Sequence, residues 1–346
     1  MEKLRTTEAA EHPAAADGGK DSPARRHPYR GFALRGGLGV GLLGFLAYRF
    51  GASAVFSVLS RERPGYFLLA IAIYTAGQVM SACRWQLLAA VVAIRGRFSE
   101  FLAYYFLGMF TNLFVPGIIG GDAARAFYLG RRHGRLGPAA ASVVADRGLG
   151  LLSLLWLAAA VGGSLDVGAL PSAVVRPVML IGAVSLGAFL AAPLIARAER
   201  LMPHSLARHA GLITPYLRRP LSLLPAIILS LILQALYVIG QYVLALGLGV
   251  SLPLSTFLIC VPVAGVFASI PVTFGGLGLR ESAYTVLFGM VGLGSADAIA
   301  LGLLWFASTV LVGLTGIVPF LTTEIPVPSP AQAAQSPGLP EMKTGG

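Results

Sequence analysis

Two stretches of this chain place a backbone breaker and a charge in the same order. The first reads Pro116-Gly117-Ile118-Ile119-Gly120-Gly121-Asp122-Ala123-Ala124-Arg125, and the second Pro271-Val272-Thr273-Phe274-Gly275-Gly276-Leu277-Gly278-Leu279-Arg280-Glu281. Both fit Pro-x-x-x-Gly-Gly-x-x-x-Arg, offset by 155 residues (271 − 116). Proline cannot continue a helical hydrogen-bond ladder, and paired glycines permit a close, sharp reversal of the backbone. A helix that begins after Gly-Gly leaves its first N–H groups unpaired at the positive end of its dipole, which is an anion-binding arrangement. Arg125 and Arg280 add full positive charge beside these ends. The chemistry on offer is the holding of an anionic group between two half-helices.

Other polar residues cluster around the same idea. Asp146 and Arg147 are adjacent on an apolar segment and so cannot face each other on a helix. Asp146 is expected to pair with Arg125, and Arg147 to point toward a substrate cavity. Asn112, Tyr104, Tyr105, Tyr128, Gln234, Tyr237, Gln241 and Tyr242 are polar points on apolar helices; Gln234, Tyr237 and Gln241 share one face, as pathway lining or as glue between helices. Each assignment has a plainer competitor. Asp122 is also a helix N-cap over 123–131, and Arg125 also extends the basic cluster with Arg131 and Arg132. Arg84 reads as a side chain snorkelling to lipid headgroups from a helix end. Arg280 and Glu281 are the harder pair to dismiss, because they are the only charges between Leu221 and Ala296, where an ionised group is costly and usually functional.

Catalytic chemistry has less to build on. The five His fall in the tails or in basic connections, and Cys83 and Cys260 lie in separate apolar segments with no ligand spacing. No catalytic residue, metal site or cofactor is assigned. No Gly-x-x-x-x-Gly-Lys-Ser/Thr loop is present to bind ATP.

The elements that must position these residues are membrane helices. Hydrophobic residues make up 56% of the chain and charged residues 12%, against about 25% charged in a typical soluble protein; the mean hydropathy is +0.76. Apolar segments run at about 34–52, 66–83, 98–116, 138–163, 174–196, 222–248, 255–270 and 296–321, with shorter stretches at 117–129 and 277–290. The net charge of +11 belongs to arginines flanking these spans, which orient a membrane protein, rather than to a nucleic-acid surface. Basic connections at 84–97 and 131–135 fall on the same side only if 98–116 enters the membrane, turns at Pro116 and returns. The same reading of 255–270 and 277–290 gives six full spans and two re-entrant hairpins facing opposite sides, an inverted repeat; eight plain crossings satisfy the tails equally. The basic stretch 197–219 reads as an interfacial segment on the inner leaflet or as a solvated loop.

The block Arg84-Trp85 … Phe110-Thr111-Asn112-Leu113-Phe114-Val115-Pro116-Gly117-Ile118-Ile119-Gly120-Gly121-Asp122-Ala123-Ala124-Arg125 … Ser142-Val143-Val144-Ala145-Asp146-Arg147, with the later Pro271 … Gly275-Gly276-Leu277-Gly278-Leu279-Arg280-Glu281, resembles the lysylphosphatidylglycerol synthase transmembrane-domain family, also called flippase-like. The resemblance covers about 32–321. It implies a polytopic helical domain related to the membrane half of the enzyme that makes aminoacylated phosphatidylglycerol and moves it to the outer leaflet. Stand-alone relatives are tied to hopanoid or lipid-linked sugar pathways. No soluble synthase domain is expected here, so synthase activity is not carried over.

The expectation is therefore an all-α membrane protein of six to eight transmembrane helices with two re-entrant hairpins. A basic disordered tail (1–31) precedes the membrane domain (32–321), and a second disordered tail (322–346) follows it. Function is expected to be lipid translocation in a bacterial inner membrane with both tails cytoplasmic. Arg125, Arg280, Asp122, Glu281, Asp146, Arg147 and Asn112 would contact the substrate, and Pro116, Gly120, Gly121, Pro271, Gly275 and Gly276 would form the turns. The partner is a membrane phospholipid with an anionic headgroup, with a lipid synthase or glycosyltransferase as a protein partner. The rival readings are a membrane-embedded lipid or glycosyl transferase using Asp122 or Glu281 as base, and a non-catalytic subunit of a lipid-modifying complex.

Overall fold

The computed structural model describes residues 62–114, 119–164, 170–198, 214–218, 220–269 and 279–323. The segment 34–52, the tail 1–31, the tail 322–346 apart from its first two residues (Thr322 ends the last helix), most of 197–219, and the turn residues Pro116, Pro271, Gly275 and Gly276 lie outside them. Every regular element among the described residues is helical. In order these are α1 (Pro64–Val91), α2 (Phe98–Asn112), α3 (Ile119–His133), α4 (Leu136–Ser164) and α5 (Ser172–Ala198). Then come α6 (Thr214–Arg218), a 3₁₀ turn (Pro220–Leu223), α7 (Leu224–Gly247), α8 (Leu254–Ala268), α9 (Leu279–Gly289), α10 (Ser295–Leu314) and α11 (Ile317–Thr322).

Five stretches are long and apolar enough to cross a membrane: Pro64–Val91, Leu136–Gly163, Ser172–Leu194, Leu224–Gly247 and Ser295–Thr322. Leu68 on α1, and Leu180, Val184, Leu190 and Leu194 on α5, are exposed, which suits a hydrocarbon solvent rather than water. The chain is an all-α polytopic membrane protein. By contrast α2 and α8 have 15 residues each, about 22 Å of helix at 1.5 Å per residue, which is short of a hydrocarbon core of about 30 Å.

Local chemistry sets these boundaries. Pro64 opens α1, where its fixed φ and missing N–H cost nothing. The helix ends at Val91 and the chain leaves it through Ala93, whose φ of 58° is left-handed; Arg135 Nη1 donates to the Val92 and Ala93 carbonyls at 3.1 Å each, satisfying acceptors at the negative end of the dipole. Segment 66–83 was expected to stop before Arg84. Instead α1 continues for two more turns, because Trp85, Leu88 and Ala89 are buried in a cluster with Ile94, Phe101 and Leu129. A second apolar cluster gathers Val238, Phe257, Cys260, Tyr284, Phe288 and Trp305.

The half-helix expected after Gly120-Gly121 starts earlier than the sequence pattern implied. Both glycines lie in the first turn of α3, which begins at Ile119. Gly121 serves close approach: a Cβ there would come within 2.1 Å of the Gly108 carbonyl oxygen on α2. The backbones of α2 and α3 touch at this crossing.

Element order repeats. Helices α1 to α4 contain 28, 15, 15 and 29 residues, and α7 to α10 contain 24, 15, 11 and 20. Packing repeats with them. In each half the first helix packs on the second and fourth, the second on the third, and the third on the fourth. Across the halves α1 packs on α7, while the pairs α1–α10 and α7–α4, and α2–α10 and α8–α4, are mates under the exchange of one half for the other. Such exchange symmetry is what an internal duplication folded about a pseudo-twofold axis produces.

Candidate functional site

The first and fourth helices of each half and the short helices between them enclose a polar cavity with two lobes. The larger lobe, about 440 Å³, takes Arg84, Asp146, Arg147, Gln78, Gln234 and Ser81 among its walls. The smaller, about 260 Å³, is lined by Arg125, Arg280, Arg147, Asn112 and Thr309. Tyr74, Gln78, Tyr105, Asp122, Arg147, Tyr237 and Ser269 belong to both. Apolar walls come from Leu151, Leu154, Leu233 and Leu236.

One side of this cavity is a chain of ion pairs. Asp146 on α4 is 1% exposed; its Oδ1 accepts from Arg84 Nε at 2.9 Å and its Oδ2 from Arg125 Nη2 at 2.9 Å. The expected Asp146–Arg125 pair is thus present, and Arg84 joins it. Arg84 Nη1 also donates to Ser230 on α7 at 2.6 Å, a bond between the two halves. Arg84 is buried rather than snorkelling, because the extra turns of α1 hold it inside the bundle. Arg125 is gripped further between the rings of Trp85 and Tyr105, at 4.2 and 4.4 Å from their centroids, a desolvated cation–π arrangement. Its Nε has no hydrogen-bond partner among the described residues.

Asp122, in the first turn of α3, accepts from Arg147 Nε at 2.7 Å and from Arg125 Nη1 at 3.4 Å. It neutralises arginines in addition to sitting at the positive end of a helix dipole. Arg147 differs from its neighbours. Its side chain is 42% exposed, against 4% for Arg125 and 7% for Arg84, and that exposure is to the cavity. Adjacent in sequence, Asp146 and Arg147 turn to different partners, as helical geometry requires.

The structure does not use every expected residue in the expected way. Asn112 accepts from the Gly121 N–H at 2.6 Å, so at least one amide at the start of α3 is already satisfied by the protein. Glu281 is absent from the walls of both lobes. It is buried against Gly302, where a Cβ would lie 2.8 Å from its Cγ, and its Oε1 is 3.5 Å from Arg280 Nε. Arg125 and Arg280, matching positions of the sequence repeat, nevertheless meet at one lobe. Of the stripe on α7, Gln234 donates to the Gly150 carbonyl at 2.9 Å and faces the larger lobe, Tyr237 faces both lobes, and Gln241 is buried and accepts from the Tyr284 hydroxyl. The stripe is both glue and lining. Sequence reasoning passed over Arg84, Tyr74 and Gln78 as site residues; the contiguity of Arg84 with Trp85 inside a longer apolar run was the signal for the first.

A polytopic helical bundle with a cation-rich cavity between two repeated halves defines the class: an all-α membrane protein with an internal polar cavity. The chain belongs to the family of the lysylphosphatidylglycerol synthase TM region, which matches residues 32–316. Over 91 residues it is 28% identical to a UPF0104 membrane protein of Methanocaldococcus jannaschii, a stretch covering 26% of this chain and 27% of that relative. No solved structure matches the chain.

Proposed function

We propose that this protein moves an anionic phospholipid or lipid-linked intermediate between the leaflets of a bacterial inner membrane. One observation carries the reading: Arg125 and Arg280, from the two halves of the repeat, line one lobe with Arg147, whose side chain stays open to the cavity. A guanidinium fork matches a phosphate bidentately and is weakly hydrated, and Met109, Leu113 and Phe306, apolar walls of the same smaller lobe, suit the start of acyl chains. Broken helices at membrane depth are tolerated only against protein or a cavity, which agrees with α2–α3 and α8–α9 as re-entrant hairpins entering from opposite sides. In this reading 32–321 forms the membrane domain, and the tails 1–31 and 322–346 lie in the cytoplasm. Arg147 and Arg280 hold the phosphate, Arg125 and Asp122 shape its pocket, and access alternates between leaflets around this fixed site.

Leaflet exchange in proteoliposomes tests the proposal. Purified protein is reconstituted with fluorescent phosphatidylglycerol or aminoacyl-phosphatidylglycerol, and an impermeant quencher reports which leaflet holds the label. We expect exchange above the empty-liposome rate, reduced to that rate by Arg147→Gln or Arg280→Ala in protein that retains its thermal unfolding profile. No exchange of any lipid by folded protein refutes translocation. Exchange indifferent to both substitutions refutes the site.

A further inference from the structure

We infer that the cavity selects a lipid whose headgroup is a phosphodiester bearing hydroxyls and carrying no cation, and that it discriminates against an aminoacylated headgroup. This rests on the reading just proposed and narrows it. The first ground is charge. The two lobes are lined by four guanidinium groups, of Arg84, Arg125, Arg147 and Arg280, and by two carboxylates, of Asp122 and Asp146. With Glu281, 3.5 Å from Arg280 behind the wall, three carboxylates face four guanidiniums, an excess of one positive charge (4 − 3). An ammonium group brought into this space meets net repulsion in a low dielectric.

The second ground is the commitment of the carboxylates. An aminoacyl headgroup needs an acceptor that prefers its ammonium to what it already has. Both oxygens of Asp146 are taken by arginines at 2.9 Å, in a side chain 2% exposed. Both oxygens of Asp122 also face arginines, at 2.7 and 3.4 Å. The remaining acid of the sequence motif, Glu281, does not line either lobe. Freeing Asp146 for a ligand would leave two buried guanidiniums without the anion they share, and freeing Asp122 would take from Arg147 its 2.7 Å partner.

The third ground is what the cavity offers in place of anions. Tyr74, Gln78 and Tyr105 line both lobes, and Gln234, which donates one amide hydrogen to the Gly150 carbonyl, lines the larger one. Hydroxyl and amide groups of this kind both donate and accept, which suits a polyol rather than a charge. A phosphodiester at Arg147, Arg125 and Arg280 in the smaller lobe would place a glycerol- or sugar-like extension among these groups in the larger one.

Competition binding tests this without relying on transport. Full-length protein in detergent binds a fluorescent short-chain phosphatidylglycerol, which is displaced by unlabelled phosphatidylglycerol, lysyl-phosphatidylglycerol, phosphatidic acid or soluble glycerophosphoglycerol. We expect phosphatidylglycerol to displace the label at least about tenfold more effectively than the lysyl form, the low end of what a hydrogen bond to a charged group contributes. Phosphatidic acid, which lacks the hydroxyls, is expected to be weaker than phosphatidylglycerol, and Gln234→Leu to erase that difference. Lysyl-phosphatidylglycerol binding as tightly as phosphatidylglycerol, or weakened selectively by Asp122→Asn, overturns the inference. Glycerophosphoglycerol competing as well as the intact lipid overturns the lipid assignment. Phosphatidylglycerol preference with no leaflet exchange removes the translocase reading alone, and exchange with a lysyl preference removes this inference alone.

Discussion

Asp146→Asn isolates the structural share of the ion-pair chain. The substitution keeps shape and volume but removes the anion that two guanidinium groups share. Asp146 takes one charge-assisted bond from Arg84 and one from Arg125, each at 2.9 Å, with side-chain exposures of 7%, 4% and 2% for Arg84, Arg125 and Asp146. Removing one partner of a buried pair costs about 3–5 kcal/mol, mostly because the surviving charge is left uncompensated. Arg125 retains the longer Asp122 contact and two aromatic faces, and Arg84 retains Ser230, which argues for the lower half of that range. At roughly 2–4 °C per kcal/mol in domains of 150–250 residues, thermal unfolding in detergent should fall by about 10 °C. Replacing Arg84, Asp146 and Arg125 together by apolar residues of similar volume should recover most of that loss, since a whole buried network is often no more stable than a packed apolar core. A drop of less than about 2 °C for Asp146→Asn would refute the view that this carboxylate neutralises both arginines. Failure of the triple variant to recover would refute the desolvation argument.

Gly121→Ala should separate α2 from α3, because its Cβ would meet the Gly108 carbonyl oxygen at 2.1 Å; we expect a loss of about 1–3 kcal/mol, typical of overpacking, read from denaturant unfolding in detergent. Glu62, just before α1, is 5% exposed, and neither carboxylate oxygen has a hydrogen-bond partner among the described residues. Burial raises its pKa from the ordinary carboxylate value to about 7, with Arg63 opposing. The folded state therefore holds this proton where the unfolded chain has released it, so the Glu62 contribution to stability should decline as pH rises from about 4.5 to 7 and stay flat above. Glu62→Gln should flatten that slope and be more stable than the parent at pH 8, as measured by thermal unfolding across pH; an unchanged slope would assign the dependence to other groups.

Much of the fold was legible because hydrophobic length is read so directly by a membrane. Five of the apolar segments drawn from sequence correspond to the long helices α1, α4, α5, α7 and the α10–α11 stretch. The limits of α1 were not legible, because an arginine in an apolar run looks like a terminus until the anion that receives it is known. That error hid Arg84 from the site. The pairing of Asp146 with Arg125 was readable from helical geometry, which forbids adjacent residues from sharing a face. The role of Gly120 and Gly121 was not: a glycine pair permits either a reversal or a close crossing, and only the neighbour Gly108 decides between them. Glu281 was singled out by the rarity of charge around it, but rarity says nothing of which way a side chain turns.

The Arg84–Asp146–Arg125 chain has a mechanical consequence. With Ser230 it ties α1, α3, α4 and α7 to one another by buried bonds, and the closest junction between the repeats, α1 against α7, lies inside this set. The Arg84–Asp146–Arg125 ion pairs all lie within α1, α3 and α4, so sliding one whole half past the other would break the Arg84–Ser230 and Gln234–Gly150 bonds instead, the first costing about 1.5–3 kcal/mol as a hydrogen bond to a charged group. The buried pairs thus bind α1, α3 and α4 to one another more tightly than they bind the first half to the second. In the translocation reading proposed above, that trio is the frame, and α8, α9 and α10, which bring Arg280 to the smaller lobe, are the part that tilts against it.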